Sequence, residues 1–114
     1  MIDGLFKMKY NFFINKTVTK INFFSESGIS LDFGEHEHFE CHTKMTISNE
    51  KYDLKKLVGK KINSVHYEKD NQITFAFDDV SLSISLDPKD WETPEDVIYK
   101  DYRDTKKLII EVIT

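Results

Sequence analysis

Apolar and polar residues alternate with a period of two along much of this chain. Ile73, Phe75 and Phe77 alternate with Thr74, Ala76 and Asp78, and Leu82, Ile84 and Leu86 alternate with Ser81, Ser83 and Ser85. That spacing predicts strands with one buried and one wet face. Ile62 to Tyr67 predicts a strand before them, with Glu68, Lys69, Asp70 and Asn71 as the first turn and Asp78 and Asp79 as the second. Upstream, Asp53 is placed to cap a short helical turn over Leu54, Lys55, Lys56, Leu57 and Val58, which Gly59 stops. The N-terminal half predicts strands over Val18 to Phe24, Ile29 to Phe33 and roughly Phe39 to Ile47, with turns at Ser25 to Gly28 and at Gly34 and Glu35.

The two halves align on each other. A shift of 44 positions lays Phe13, Ile14, Asn15, Lys16, Thr17 and Val18 on Leu57, Val58, Gly59, Lys60, Lys61 and Ile62. Without a gap, Ile21 then meets Val65, Phe23 meets Tyr67, Ile29 meets Ile73, Leu31 meets Phe75 and Phe33 meets Phe77. After one single-residue gap, Phe39, Cys41 and Thr43 meet Leu82, Ile84 and Leu86. Shared alternation accounts for paired apolar positions in any two β-rich segments. Asn15 opposite Gly59 adds a more specific match, because both types tolerate the left-handed conformation that ends a helical turn. The expectation is an internal duplication of 10–47 and 54–87 within one domain, 1–114.

Towards the C-terminus, Thr93, Pro94, Glu95 and Asp96 have the composition of a helix start. The β-formers Val97, Ile98, Tyr99 and Tyr102, followed by a turn at Arg103, Asp104 and Thr105, favour a hairpin into a last strand, Leu108 to Ile113. That strand is apolar on both faces, as a central strand would be. The fold class expected is mainly β, bordering on α+β. It comprises two tandem three-stranded antiparallel meanders, a short helical turn before each, and a C-terminal hairpin or strand.

Composition sets bounds on this picture. With 114 residues, 39% hydrophobic and 13% aromatic, the chain has material for one core and too much for a disordered tail. No apolar run reaches the length of a membrane helix and the start lacks a secretion signal, so the expectation is a cytoplasmic protein with no membrane partner. The single cysteine, Cys41, cannot form an intrachain disulfide and falls on the apolar side of its strand. The formal charge of −4 argues against general nucleic-acid binding.

Candidate chemistry is sparse. His36, His38, Glu40 and His42 share one strand face, so His36, His38 and His42 form a candidate zinc site. The plainer reading is a solvated face over Phe39 and Cys41. Phosphate loops, nucleophile elbows, Cys-x-x-Cys pairs and His-Glu-x-x-His motifs do not occur. No catalytic residue or cofactor is expected, and the chain reads as a non-enzyme. Charge, by contrast, is segregated. Between Asp78 and Asp96, seven acids face Lys89 alone, whereas between Lys44 and Lys69 seven lysines outnumber three acids. Asp78, Asp79, Asp87, Asp90, Glu92 and Glu95, with Trp91 among them, are candidate contacts for a basic protein partner, because opposed potentials speed encounter and a desolvated aromatic can anchor it. The competing reading is a solvated loop with Trp91 folded into the core.

Leu57, Val58, Gly59, Lys60, Lys61 and Ile62, then Phe75 to Leu82, then Leu86, Asp87, Pro88, Lys89, Asp90, Trp91, Glu92, Thr93, Pro94 and Glu95 resemble a group of small uncharacterised bacterial proteins. The group's pattern runs Leu-hydrophobic-Gly-Lys-hydrophobic, Phe-x-Asp-Gly-Ser-x-Leu, then Leu-x-Asp-x-Asp-Tyr-x-Gly-Pro-Glu-Ala. The resemblance covers about residues 45 to 113. This chain departs from it at Val80 (Gly in the group), Trp91 (Tyr), Thr93 (Gly) and Asp96 (Ala). It implies a compact, β-rich, non-catalytic protein, with immunity proteins encoded beside bacterial toxins among the look-alikes. The leading expectation is therefore an immunity protein that meets a basic toxin through its acids. Two alternatives are a metal-binding protein built on the histidine cluster and a homodimer paired at a sheet edge.

Overall fold

The computed structural model describes residues 10–24, 28–92, 96–103 and 109–113. The fold is mainly β, and among the described residues helical structure is confined to 3₁₀ turns. A turn at Asn11–Phe13 precedes β1 (Lys20–Phe23), β2 (Ile29–Asp32) and β3 (Glu37–Cys41). After β4 (Met45–Ile47), a second turn at Leu54–Leu57 precedes β5 (Ser64–Glu68), β6 (Gln72–Ala76) and β7 (Ser81–Ser85). A third turn, Pro88–Asp90, leads to β8 (Val97–Asp101) and β9 (Ile109–Val112). The described strands all pair antiparallel, in a five-stranded sheet ordered β1-β2-β3-β8-β9 and a four-stranded sheet ordered β4-β7-β6-β5.

The second and third turns start at a capping aspartate, whereas the first, after Tyr10, has no side-chain cap. The Asp53 carboxylate accepts from the Lys55 N–H at 3.0 Å, satisfying a donor left over at the start of the turn. Asn15 and Gly59 follow the first two turns with φ of 73° and 90°, the left-handed conformation their residue types admit.

The inward faces of the two sheets meet across an aromatic core. Phe39 of β3 and Phe75 of β6 pack edge-on at 5.1 Å between ring centroids. Phe13, from the first turn, is fully buried and touches Phe39 at 5.6 Å, Phe75 at 5.1 Å and Tyr99 at 5.4 Å. One turn residue thus joins both sheets, through the edge and tilted geometries that aromatic quadrupoles favour. Gly28 marks another tight spot: a Cβ there would lie 2.5 Å from the Cys41 carbonyl oxygen, so the chain entering β2 could not run this close to the end of β3 with any other residue.

Two sequence expectations change. The run from Phe39 to Ile47 is not one strand. His42 N–H donates to Asp96 O at 2.7 Å in the five-stranded sheet, and Ser85 N–H donates to Lys44 O at 2.9 Å in the other. The backbone changes sheets across Thr43, and the alternation of Phe39, Cys41, Thr43, Met45 and Ile47 hides the change because the inward period continues through it. The last strand, β9, is an edge of its sheet rather than a central strand, its one described neighbour being β8. The helix start at Thr93, Pro94 and Glu95 and the turn at Asp104 and Thr105 lie outside the described residues.

Each three-stranded meander takes its fourth strand from the segment after the other. β4 follows the first meander and pairs with β7 of the second, while β8 follows the second and pairs with β3 of the first.

Candidate protein-binding site

The structure divides the acidic stretch in two. Asp78 and Asp79 occupy the turn before β7, and Asp87, Asp90 and Glu92 follow it. Five strand residues at about 3.3 Å each separate the groups by roughly 17 Å. Asp78 accepts from the Asn63 side-chain amide at 2.7 Å, and Asp79 lies 3.8 Å from the Lys60 ammonium. Glu95 lies outside the described residues.

The second group has more structure. Asp87 caps the third turn, accepting from Lys89 N–H at 3.0 Å, and Pro88 sits at the first turn position, where its missing N–H costs nothing. Asp90 accepts from the Ser85 hydroxyl at 2.5 Å, while Asp96 is buried and accepts from Glu92 N–H at 2.8 Å. Trp91 is half-buried against the core, and its indole N–H donates to Ser85 O at 3.0 Å. The ring thereby fixes the segment to the end of β7. Asp87 and Asp90 then stand at a recess of about 180 Å³ on the outer face of the four-stranded sheet, lined also by Lys44, Gln72, Ser83 and Ser85. Two carboxylates against one lysine, among hydroxyls and amides, make it polar and net acidic.

The histidines are engaged separately. His38 Nδ1 lies 2.8 Å from Asp32 Oδ1, the exposed His42 ring stacks on Phe24 at 4.8 Å, and exposed His36 is 3.9 Å from Glu35. Among the described residues, no three His, Cys, Asp or Glu side chains converge as metal ligands. The strand alternation holds, with Phe39 and Cys41 buried. Burial pushes the Cys41 thiol up to about 12, so it is an apolar filler rather than a thiolate nucleophile. Ser30 Oγ lies 3.4 Å from Asp32 Oδ1 rather than bonding to the imidazole, so this Ser, Asp and His lack the nucleophile-to-base contact of an acyl-transfer triad.

A polar cluster that strand alternation did not flag lies on the inward face of β3. Glu37 is 8% exposed; it pairs with the Lys16 ammonium, accepts from Tyr99 Oη at 2.7 Å and lies 3.7 Å from Arg103. Arg103 Nε donates to both oxygens of the buried Asp101, at 3.0 and 2.9 Å. Those hydrogen bonds hold the Asp101 carboxyl down to about 2, while burial, then the Glu37 carboxylate, push the Tyr99 hydroxyl up. The signal available in sequence was Glu37 itself, in phase with Phe39 and Cys41 rather than with the histidines.

Compared with protein-family models, curated proteins and solved structures, the chain has no match. No helix among the described residues is long and apolar enough to cross a membrane.

Proposed function

We propose that this chain is a non-catalytic protein-binding module, and specifically an immunity protein that neutralises a bacterial toxin by receiving a basic side chain of it between Asp87 and Asp90. The observation that carries the reading is the acidic recess, held in place by Trp91 against the core. A lysine or arginine entering it finds two carboxylates, plus hydroxyl and amide oxygens for its remaining N–H groups. The Lys44 ammonium at the same recess disfavours an unpaired cation and favours one that displaces it while bringing further contacts.

The test is binding, by surface plasmon resonance, of the purified product of the gene adjoining this one. Asp87→Asn with Asp90→Asn should slow association at least tenfold at low salt and flatten its salt dependence, because charge at the rim acts mainly on encounter. Unchanged kinetics in a normally folded double variant, or no complex with that product, overturns the reading.

A further inference from the structure

Phe23 of β1 stands opposite Ile29 on the inward face of its sheet, yet it is 50% exposed. The offset of 44 positions lays it on Tyr67 of β5, which is 7% exposed and has Tyr10 packed edge-on against its ring at 4.7 Å between centroids. Leu54, a shorter side chain, holds the position of Tyr10 in the second half, and Phe23 stays open. The two strands are each an edge of their sheet, but only one is protected. Where β5 has His66 and Glu68, charge-bearing groups of the kind that blunt an edge, β1 has Asn22 and the chain leaving it has Phe24.

The backbone of β1 is open on the same side. Phe24 N–H donates to Gly28 O at 3.1 Å. In the register that pairs Asn22 with Ser30, antiparallel alternation then turns the backbone groups of Asn22 towards β2 and those of Ile21 and Phe23 away from it. Among the described residues no strand lies on that side of β1. The opening is short, because Val18 upstream is already bonded to Gly59 and Lys60.

A second β1, antiparallel and with Asn22 opposite Asn22, uses all the outward groups. Ile21 exchanges both its hydrogen bonds with the second copy's Phe23, and Phe23 does so with that copy's Ile21. Directly opposed residues share a face, so each open Phe23 gains an Ile21 beside it on the inward side. On the outer side the two Asn22 amides meet, each able to donate and accept. Lys20 falls opposite the second copy's Phe24, so the cation of this edge faces an aromatic ring rather than another lysine.

We infer that the β1 edge is a self-association surface, through which two copies of this chain join their five-stranded sheets across a two-fold axis at Asn22. The short contact makes the dimer weak and dependent on concentration. It is independent of the acidic recess, which lies on the other sheet.

Sedimentation velocity of the full chain, from low micromolar to millimolar concentration, tests it. The mean sedimentation coefficient should rise from monomer towards dimer. Phe23→Lys, at an exposed position, should raise the dimer Kd by at least about tenfold, because it sets a charge against Ile21 twice per dimer. Asp87→Asn with Asp90→Asn should leave the Kd unchanged. Register is read by oxidative cross-linking, to which the buried Cys41 does not contribute. Asn22→Cys places two thiols on a non-hydrogen-bonded pair with Cα atoms about 4.5 Å apart, within reach of a disulfide. Lys20→Cys places them roughly 14 Å apart. Asn22→Cys should therefore cross-link quickly and Lys20→Cys slowly. A chain that stays monomeric at millimolar concentration overturns the inference. So does a dimer that Phe23→Lys does not weaken, or cross-linking of Lys20→Cys as fast as that of Asn22→Cys.

Discussion

Thr17 and Lys61, which are 44 positions apart, pair with each other as an antiparallel bridge. Because the same offset aligns the two halves, each half meets its own equivalent there. The surrounding hydrogen bonds come in matched pairs. Asn15 N–H donates to Ile62 O at 2.8 Å and Gly59 N–H to Val18 O at 2.7 Å; Val18 N–H donates to Lys60 O at 2.9 Å and Ile62 N–H to Lys16 O at 3.0 Å. Exchanging each residue for its equivalent turns one member of a pair into the other, which is a local two-fold relation. The register of β1 on β2, with Lys20 opposite Asp32, likewise maps onto Ser64 opposite Ala76.

Reciprocal completion of the sheets has a direct test. Asn49, Glu50 and Lys51 are exposed between β4 and the second turn, so a protease site inserted after Glu50 should be cut in the folded protein. The two pieces should stay together through gel filtration and melt in one transition, since each sheet contains strands from both. Separation of the pieces, or two independent transitions, would contradict this expectation.

Glu37→Ala should cost about 3 to 5 kcal/mol, because it leaves the Lys16 charge and the Tyr99 hydroxyl without their buried partner. Glu37→Gln keeps an acceptor for Tyr99 and should cost less. Urea melts of both variants decide the order; equal losses would show that the charge on Glu37 contributes little.

Trp91→Ala removes a half-buried ring and its bond to Ser85 and should lower folding stability by about 2 to 4 kcal/mol. Trp91→Phe retains much of the packing and should lose roughly 1 kcal/mol. A near-neutral Trp91→Ala would instead assign the ring to partner contact. Either result is read from a denaturant midpoint with no partner present.

Asp101 gives the acid side of the stability profile. Its carboxyl is held near 2 in the folded chain, below the ordinary 3.8, so its contribution is complete above about pH 4 and is lost as pH falls through about 2. The stability gap between the parent protein and Asp101→Asn, measured by urea melts, should therefore be constant from pH 7 to pH 5 and narrow below pH 4. A gap that does not change down to pH 2.5 would show that Arg103 does not hold the carboxylate ionised.

Much of this architecture was legible because period-two alternation reports directly which side chains face inward. It marked β2, β6 and β7 nearly to the residue and put Phe39 and Cys41 in the core. The same property concealed the crossing at Thr43, since a strand that leaves one sheet for another around a shared core keeps its inward phase. It also misplaced β9: apolar residues on both faces describe burial, and burial does not reveal whether a strand has neighbours on both sides. The acids looked contiguous because sequence proximity was all they shared; the length of β7 separates them. The His38 pairing with Asp32 was hidden for a related reason, as it depends on the register between β2 and β3, and a one-residue slip would turn those side chains to opposite faces.

The exchange of strands between halves also sets when the protein can finish folding. Cys41 of β3 pairs with Val97, so on the ribosome the first meander waits for 56 further residues before β8 arrives. At about 5 to 20 residues per second, that edge stays open for roughly 3 to 11 s. During that interval the unpaired N–H and C=O groups of β3 are exposed to other nascent chains, which makes translation speed through the second half a determinant of yield.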